Sequence, residues 1–258
     1  MGVVIRRGPS RQVCTLLWDR RTDTFALGQW LKGRIYERRC DLSPDGTHFI
    51  YFAMDGKWHS LSKGSWSAIS LAPFLKAMTF FPKGDCWNGG GLFIENDRYW
   101  LNGDGCHARR RDTTILHRDE SYRPTGGRGG ECLSVYYPRL LRDGWILNDH
   151  LSAGITDQCD VFEKALGNGW ILRKYAHAQV GSPMGKGCYW DEHELVRSQS
   201  DLCLKQPEWE WADLDGTRLI WAKTGLLWTG SLTEAGLVES RLLYDFNGMT
   251  FERRTAPY

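Results

Sequence analysis

Short apolar runs, each set off by turn residues, dominate this chain. His48-Phe49-Ile50-Tyr51 follows Asp45-Gly46-Thr47, and Leu219-Ile220-Trp221 follows Asp215-Gly216-Thr217-Arg218. Trp170-Ile171-Leu172 likewise follows Gly167-Asn168-Gly169. Runs of this length, rich in aromatic and β-branched residues and bounded by Gly, Asp and Asn, predict strands joined by tight turns. Helical periodicity is thin. Residues 67–78 have room for a turn or two, which Pro73 interrupts. Residues 119–131, with Pro124 and glycines at 126, 127, 129 and 130, predict a mobile loop. No stretch has the composition of a domain linker, so residues 1–258 are expected to form a single domain.

The runs repeat. Asp45-Gly46-Thr47-His48-Phe49-Ile50-Tyr51 parallels Asp215-Gly216-Thr217-Arg218-Leu219-Ile220-Trp221, and an Asp-Leu pair precedes each, Asp41-Leu42 and Asp213-Leu214. Leu16-Leu17-Trp18-Asp19 parallels Leu242-Leu243-Tyr244-Asp245, and Thr24-Phe25 and Thr250-Phe251 follow at the same offset. The intervals from Gly46 to Gly90 and from Gly169 to Gly216 both suit a four-stranded repeat of about 40 to 50 residues. Arg142-Asp143-Gly144-Trp145-Ile146-Leu147 echoes Gly167-Asn168-Gly169-Trp170-Ile171-Leu172 at half that distance, which predicts two hairpins of one sheet.

Leu17-Trp18-Asp19, Thr22-Asp23 and Leu42-Ser43-Pro44-Asp45-Gly46 resemble the join between blades of WD40-like and TolB-type propellers. The resemblance covers this stretch and, in part, residues 209–250. It implies an all-β fold, a β-propeller, with five blades preferred over four or six. Small antiparallel sheets cannot cover both faces alone, and radial stacking covers them. Trp18, Trp30, Trp66, Trp100, Trp145, Trp170, Trp211, Trp221 and Trp228 are then expected to pack between sheets. Ring closure would bring strands from both termini into one blade, or into first and last blades lying against each other.

Composition agrees with strands and narrows the function. The 13 Trp and 29 Gly among 258 residues favour strands and turns, while 41% hydrophobic and 25% charged residues exclude wholesale disorder. The net charge of +2 is too balanced for obligatory binding to nucleic acid or membrane. No apolar run approaches the roughly 18 residues that span a bilayer. Residues 1–9 place only three apolar residues before Arg6 and Arg7, so no secretory signal is expected; Arg6 stands where a myristoylation signal has Ser or Thr, and a cytoplasmic location is expected. The eight cysteines include no C-x-x-C pair and are expected to be reduced and buried in strands.

Several segments offer chemistry. In Gly84-Asp85-Cys86-Trp87-Asn88-Gly89-Gly90-Gly91, Cys86 is a candidate nucleophile if a histidine and a cation lie beside it; a glycine-rich turn is the favoured reading. His107, Arg109 and Arg111, with Tyr122, Arg123 and Tyr136 downstream, form a candidate recognition surface, weighed against a solvated loop. Asp191-Glu192-His193-Glu194 holds metal-ligand residue types, but on a strand only two share a face; surface or turn placement is expected, and no metal site. Gly181-Ser182-Pro183-Met184-Gly185-Lys186-Gly187 lacks the spacing and the Ser or Thr of a phosphate loop. Asp85, Asp143 and Asp215 sit where turns need aspartate.

The function expected from this reading is a protein-binding scaffold or adaptor, an immunity protein being one form of it, that presents loops on a rigid face to another protein. It needs no cofactor. The alternatives are a hydrolase or lyase working around a central channel and, more weakly, nucleic-acid binding through residues 107–128.

Overall fold

A computed structural model describes the chain apart from residues 9–10, 104–108, 127–131, 155–156, 180–183, 185–186, 199 and 201, together with the side chains of 152–154. The chain divides into two compact units. The first comprises Met1–Arg139 and Thr250–Tyr258, and the second Leu140–Met249. Strands dominate both, as the turn-bounded runs predict, and the described residues form five sheets.

In the first unit, β1 (Gly2–Gly8), β2 (Gln12–Asp19) and β3 (Thr24–Lys32) make an antiparallel meander. A second sheet is built from β4 (Arg34–Ile35), β5 (Asp41–Leu42), β6 (His48–Met54), β7 (Ser65–Leu71) and β8 (Thr79–Pro82). The third contains β9 (Gly91–Phe93), β10 (Arg98–Leu101) and β11 (His117–Arg118), with the β10–β11 pair parallel.

The unbroken apolar character of β6 follows from its central place. Phe49, Tyr51 and Ala53 face a core with Val13, Ile35, Trp66 and Ala68, while Ile50 faces another with Ile69, Phe81, Phe93 and Tyr99. A strand buried on both faces reads as a continuous run. Each such side chain contributes about 1.5–3 kcal/mol of transfer free energy.

The Ser-Pro-Asp-Gly turn before β6 is wired by its own residues. Ser43 Oγ accepts from the amides of Thr47 at 3.1 Å and His48 at 2.8 Å, and Asp45 Oδ1 accepts from Ser43 Oγ at 2.5 Å. Gly46 takes φ +77°, a left-handed conformation that glycine adopts without steric cost.

The helix α1 (Leu133–Arg142) carries the boundary between the units and has no counterpart in the sequence reading. Residues 67–78, expected to hold a helical turn, instead continue β7 to Leu71 and turn through Pro73. The β-branched and aromatic residues of β7 find cross-strand partners on β6, which outweighs local helix propensity.

In the second unit, β12 (Ile146–Gly154), β13 (Asp157–Gly167), β14 (Trp170–Gln179), β15 (Tyr189–Arg197) and β16 (Cys203–Gln206) form one antiparallel sheet. β17 (Trp209–Asp215), β18 (Arg218–Lys223), β19 (Leu226–Thr233) and β20 (Gly236–Asp245) form the other. Gly167-Asn168-Gly169 closes the β13–β14 hairpin and Asp215-Gly216 separates β17 from β18, both at expected turns. The echo at Gly144 precedes a strand of the same sheet, as expected, but it closes α1 rather than a hairpin.

Strands from the two ends of the sequence do not share a sheet, because β1 pairs with β2 and β20 with β19. Thr250–Tyr258 returns to the first unit without regular secondary structure. Among the tryptophans expected to pack, Trp18, Trp66, Trp145, Trp170 and Trp221 are buried, whereas Trp211 is exposed. A bulge between Trp209 and Trp211 turns Trp211 outward and leaves Trp209 to stack on Trp221, ring centroids 5.1 Å apart.

Candidate functional site

The most exposed aromatic side chains of the first unit sit on two adjoining loops. Residues 55–64 join β6 to β7 and present Trp58 and Leu61, 49% and 76% exposed. Residues 83–90 lead from β8 to β9 and present Trp87, 63% exposed, beside an exposed Cys86. Ser65 ties the loops together: its Oγ donates to Asp85 O at 2.6 Å and accepts from the amide of Gly84 at 3.0 Å. Asp85 Oδ1 in turn accepts from the amide of Trp87 at 2.8 Å and pairs with Lys83 Nζ at 2.7 Å.

A buried arginine holds the second loop from beneath. Arg39 Nη1 donates to Cys86 O at 2.7 Å and to Asn88 O, and its Nε donates to Cys132 Sγ at 3.1 Å. The guanidinium lies 4.8 Å from the Phe52 ring centroid and 5.0 Å from that of Tyr36. Its planar fork satisfies loop carbonyls while its faces pack on aromatic rings, a combination lysine cannot make.

The three glycines are explained by this packing. A Cβ at Gly89 would lie 2.3 Å from the Phe52 ring, one at Gly90 1.8 Å from Arg39 O, and one at Gly91 2.1 Å from Trp100 O. The run is a close-packed turn, as the favoured reading has it. Among the described residues no histidine is in hydrogen-bond reach of the Cys86 thiol.

The basic segment does not converge on a site. His107 lies outside the described residues. Arg109 pairs with Asp112, and Arg111 forms a bridge with Phe80 through its backbone. Arg123 Nη1 donates to Glu120 O and Tyr122 O, at 2.7 and 3.0 Å. Tyr122 meets Trp100 edge-on. Tyr136 is buried on α1, where the guanidiniums of Arg38 and Arg139 lie 4.5 and 5.5 Å from its ring centroid. It is a packing residue of the helix and does not join the exposed arginines.

The turn aspartates are structural. Asp143 pairs with Arg142 and Asp215 with Arg218, as Asp85 does with Lys83.

In the second unit, Asp191-Glu192-His193-Glu194 lies within β15 rather than in a turn, and His193 is buried. Asp191 and His193 share the inner face with Lys174, and Glu192 and Glu194 the other, following the period of two. Surface placement fails for His193 because Trp209 of the next sheet covers it, its carbonyl 3.2 Å from Nδ1. Lys174 Nζ is 4.0 Å from Asp191 and 4.4 Å from the Trp145 ring centroid, while Lys164 pairs with Asp213 at 2.6 Å. No group of three or more ligating side chains among the described residues could hold a metal ion.

One pair that sequence reasoning did not single out is Cys159 with His177, directly opposed on β13 and β14, Sγ to Nε2 3.9 Å. Glu192 Oε2 approaches the same nitrogen at 3.3 Å, and Trp190 stacks on the imidazole at 4.5 Å. Cross-strand register is the signal that brings them together, and it is legible only once the hairpin is known. Burial and the carboxylates of Asp160 and Glu192 push the Cys159 thiol up to about 12, the opposite of an activated nucleophile.

Among the described residues no helix is long and apolar enough to cross a membrane. Comparison with protein-family models, curated proteins and solved structures finds no match to this chain.

Proposed function

We propose that this chain is a protein-recognition scaffold whose contact surface is the loop pair 55–64 and 83–90. One observation carries this reading: Trp58, Leu61 and Trp87 are exposed on adjoining loops, of which 83–90 is fixed by Ser65 and Arg39 and 55–64 is closed by the amides of Asp55 and Gly56 donating to Gly64 O. Tryptophan dominates the energetics of protein interfaces, and a patch held rigid before contact loses little entropy on binding. The propeller is part of the same proposal. Five small sheets among the described residues are the number that five blades require, and the β17–β20 meander has a blade's strand order. The catalytic alternative is less well supported, since among the described residues no histidine is in hydrogen-bond reach of Cys86, and the Cys159 thiol is held protonated.

A photo-crosslinking residue at position 61, with a second protein carrying it at the exposed Ile115 as control, tests the surface. In extract of the source cells, the first should give a discrete adduct that W58A/W87A abolishes. Identical adducts from both positions, or none from position 61, would remove the reading.

A further inference from the structure

The segment Thr250–Tyr258 lies on the first unit in the manner of a bound peptide. Phe251 meets the Trp30 ring with centroids 5.9 Å apart, and Lys32 Nζ lies 5.0 Å from the Phe251 ring centroid. Arg254 donates from Nη1 to Leu27 O at 2.7 Å, and its own carbonyl accepts from Gln29 Nε2 at 2.9 Å. Ala256 is buried. Tyr258 Oη donates to Lys76 O at 2.6 Å and accepts from the Leu71 amide at 3.1 Å, with its ring edge-on to Phe74. Glu252, Arg253, Thr255 and Pro257 face solvent. Phe251 and Arg254 lie on the surface and make their contacts from there, Tyr258 is half-buried and Ala256 buried, and separated anchors with solvated residues between are how extended peptides are recognised.

The receiving surface is built independently of the segment. Gln29 on β3 has its Oε1 engaged by the amides of Leu75 and Lys76, at 2.7 and 3.1 Å. That fixes the side-chain amide, so its NH2 is aimed at the position of the Arg254 carbonyl before anything is bound. Gly28 permits the wall itself, since a Cβ there would sit 2.3 Å from Pro73 O. β3 and the 71–77 connection thus meet closely enough to form a groove with fixed donors and acceptors and aromatic sides.

We infer that this groove is a binding site for an extended peptide with the chemistry of 250–258: an aromatic residue, arginine three positions on, then a small residue and tyrosine. The segment fills it in cis, and a peptide of that pattern from another protein competes for it. Attachment gives the segment an effective concentration in the millimolar range, so a free competitor is held off until the segment is released. The inference is independent of the loop surface proposed above.

Fluorescence anisotropy of a labelled synthetic peptide, Thr-Phe-Glu-Arg-Arg-Thr-Ala-Pro-Tyr, tests it on the full chain. F251A/Y258A, which releases the segment, should bind the peptide at least tenfold more tightly than the parent protein. Adding Q29A should reverse most of that gain, and a peptide with both aromatics replaced by alanine should not bind. Equal binding by parent and released protein, or none by a released protein with native circular dichroism, would overturn the proposal. Should F251A/Y258A fail to fold, hydrogen exchange on the parent protein decides. The Leu71 amide, which donates to Tyr258, must exchange at least tenfold faster than the other β7 amides and be protected by excess peptide. Exchange of Leu71 only with global unfolding would mean that the groove never opens.

Discussion

Lys174 Nζ lies 4.4 Å from the ring centroid of Trp145, and both residues are almost fully buried in the second unit. A lysine in a core is costly unless its charge is compensated, and Asp191 at 4.0 Å and the indole face supply the compensation. K174A leaves a buried carboxylate short of a cation and a cavity under the indole, and should lose about 3–5 kcal/mol. K174M also leaves Asp191 short of a cation but keeps the volume and the contact with Trp145, so its loss should be smaller by the cavity contribution, about 1–2 kcal/mol. Urea denaturation of the three proteins at pH 7 checks the order; equal losses would show that volume is irrelevant there.

His193 gives the fold an acid-sensitive point. Burial pushes its imidazole down to about 4, Lys174 adding to the effect while Asp191 and Asp213 oppose it, so the folded form carries a neutral ring. An unfolded histidine titrates near 6.5, so the unfolded chain takes up the proton first as pH falls. Stability is therefore complete above about pH 6.5 and declines toward about pH 4, by about 2 kcal/mol at pH 5. H193Q, which retains a donor for Trp209 O, should lose stability less steeply over this range. Denaturation midpoints from pH 7.5 to 5 give the comparison, and parallel curves for the two proteins would refute it.

Gly90 and Gly248 have opposite expectations for the same substitution. At Gly90, φ is +70° and a Cβ would meet a backbone oxygen at 1.8 Å, so neither rotation nor a small shift relieves the contact. G90A should cost at least about 2 kcal/mol through left-handed strain and displacement of Arg39. A Cβ at Gly248 meets nothing within 4 Å, and G248A should fall within about 0.5 kcal/mol of the parent protein. Thermal unfolding of the pair tests whether the glycine run is a packing requirement.

The features legible in the sequence are those with local causes. Asp45-Gly46 and Asp215-Gly216 announce turns through their own backbone preferences, and the face shared by Asp191 and His193 follows from strand geometry. Which face turns inward was not legible, because Trp145 and Trp209 cover His193 and Lys174 from other elements. Helix α1 is a different case: Leu133, Tyr136, Tyr137 and Leu140 recur at i, i+3, i+4 and i+7 and are buried, a stripe the sequence does carry, but Pro138 within it argues against a helix locally. At the loop surface, Gly89-Gly90-Gly91 was visible as a turn. Arg39, which holds that turn in place, is far away in sequence and no motif names it.

Thiol reactivity separates the cysteines by environment. Cys86, Cys188 and Cys203 are exposed, contrary to the expectation of burial, while Cys14, Cys40, Cys132 and Cys159 are buried. Desolvation pushes Cys14 up to about 11 and Cys159 up to about 12, and it raises Cys40 and Cys132 as well. Since the thiolate is the reacting species, both access and ionisation protect these four. Burial and Glu194 also raise the Cys203 thiol, which places it behind Cys86 in rate despite its exposure. Brief iodoacetamide treatment at pH 8, read by peptide mass spectrometry, should therefore modify Cys86 before Cys203, and the buried four only after denaturant is added. Early labelling of Cys159 would contradict its burial and reopen the case for the Cys159–His177 pair as reactive chemistry.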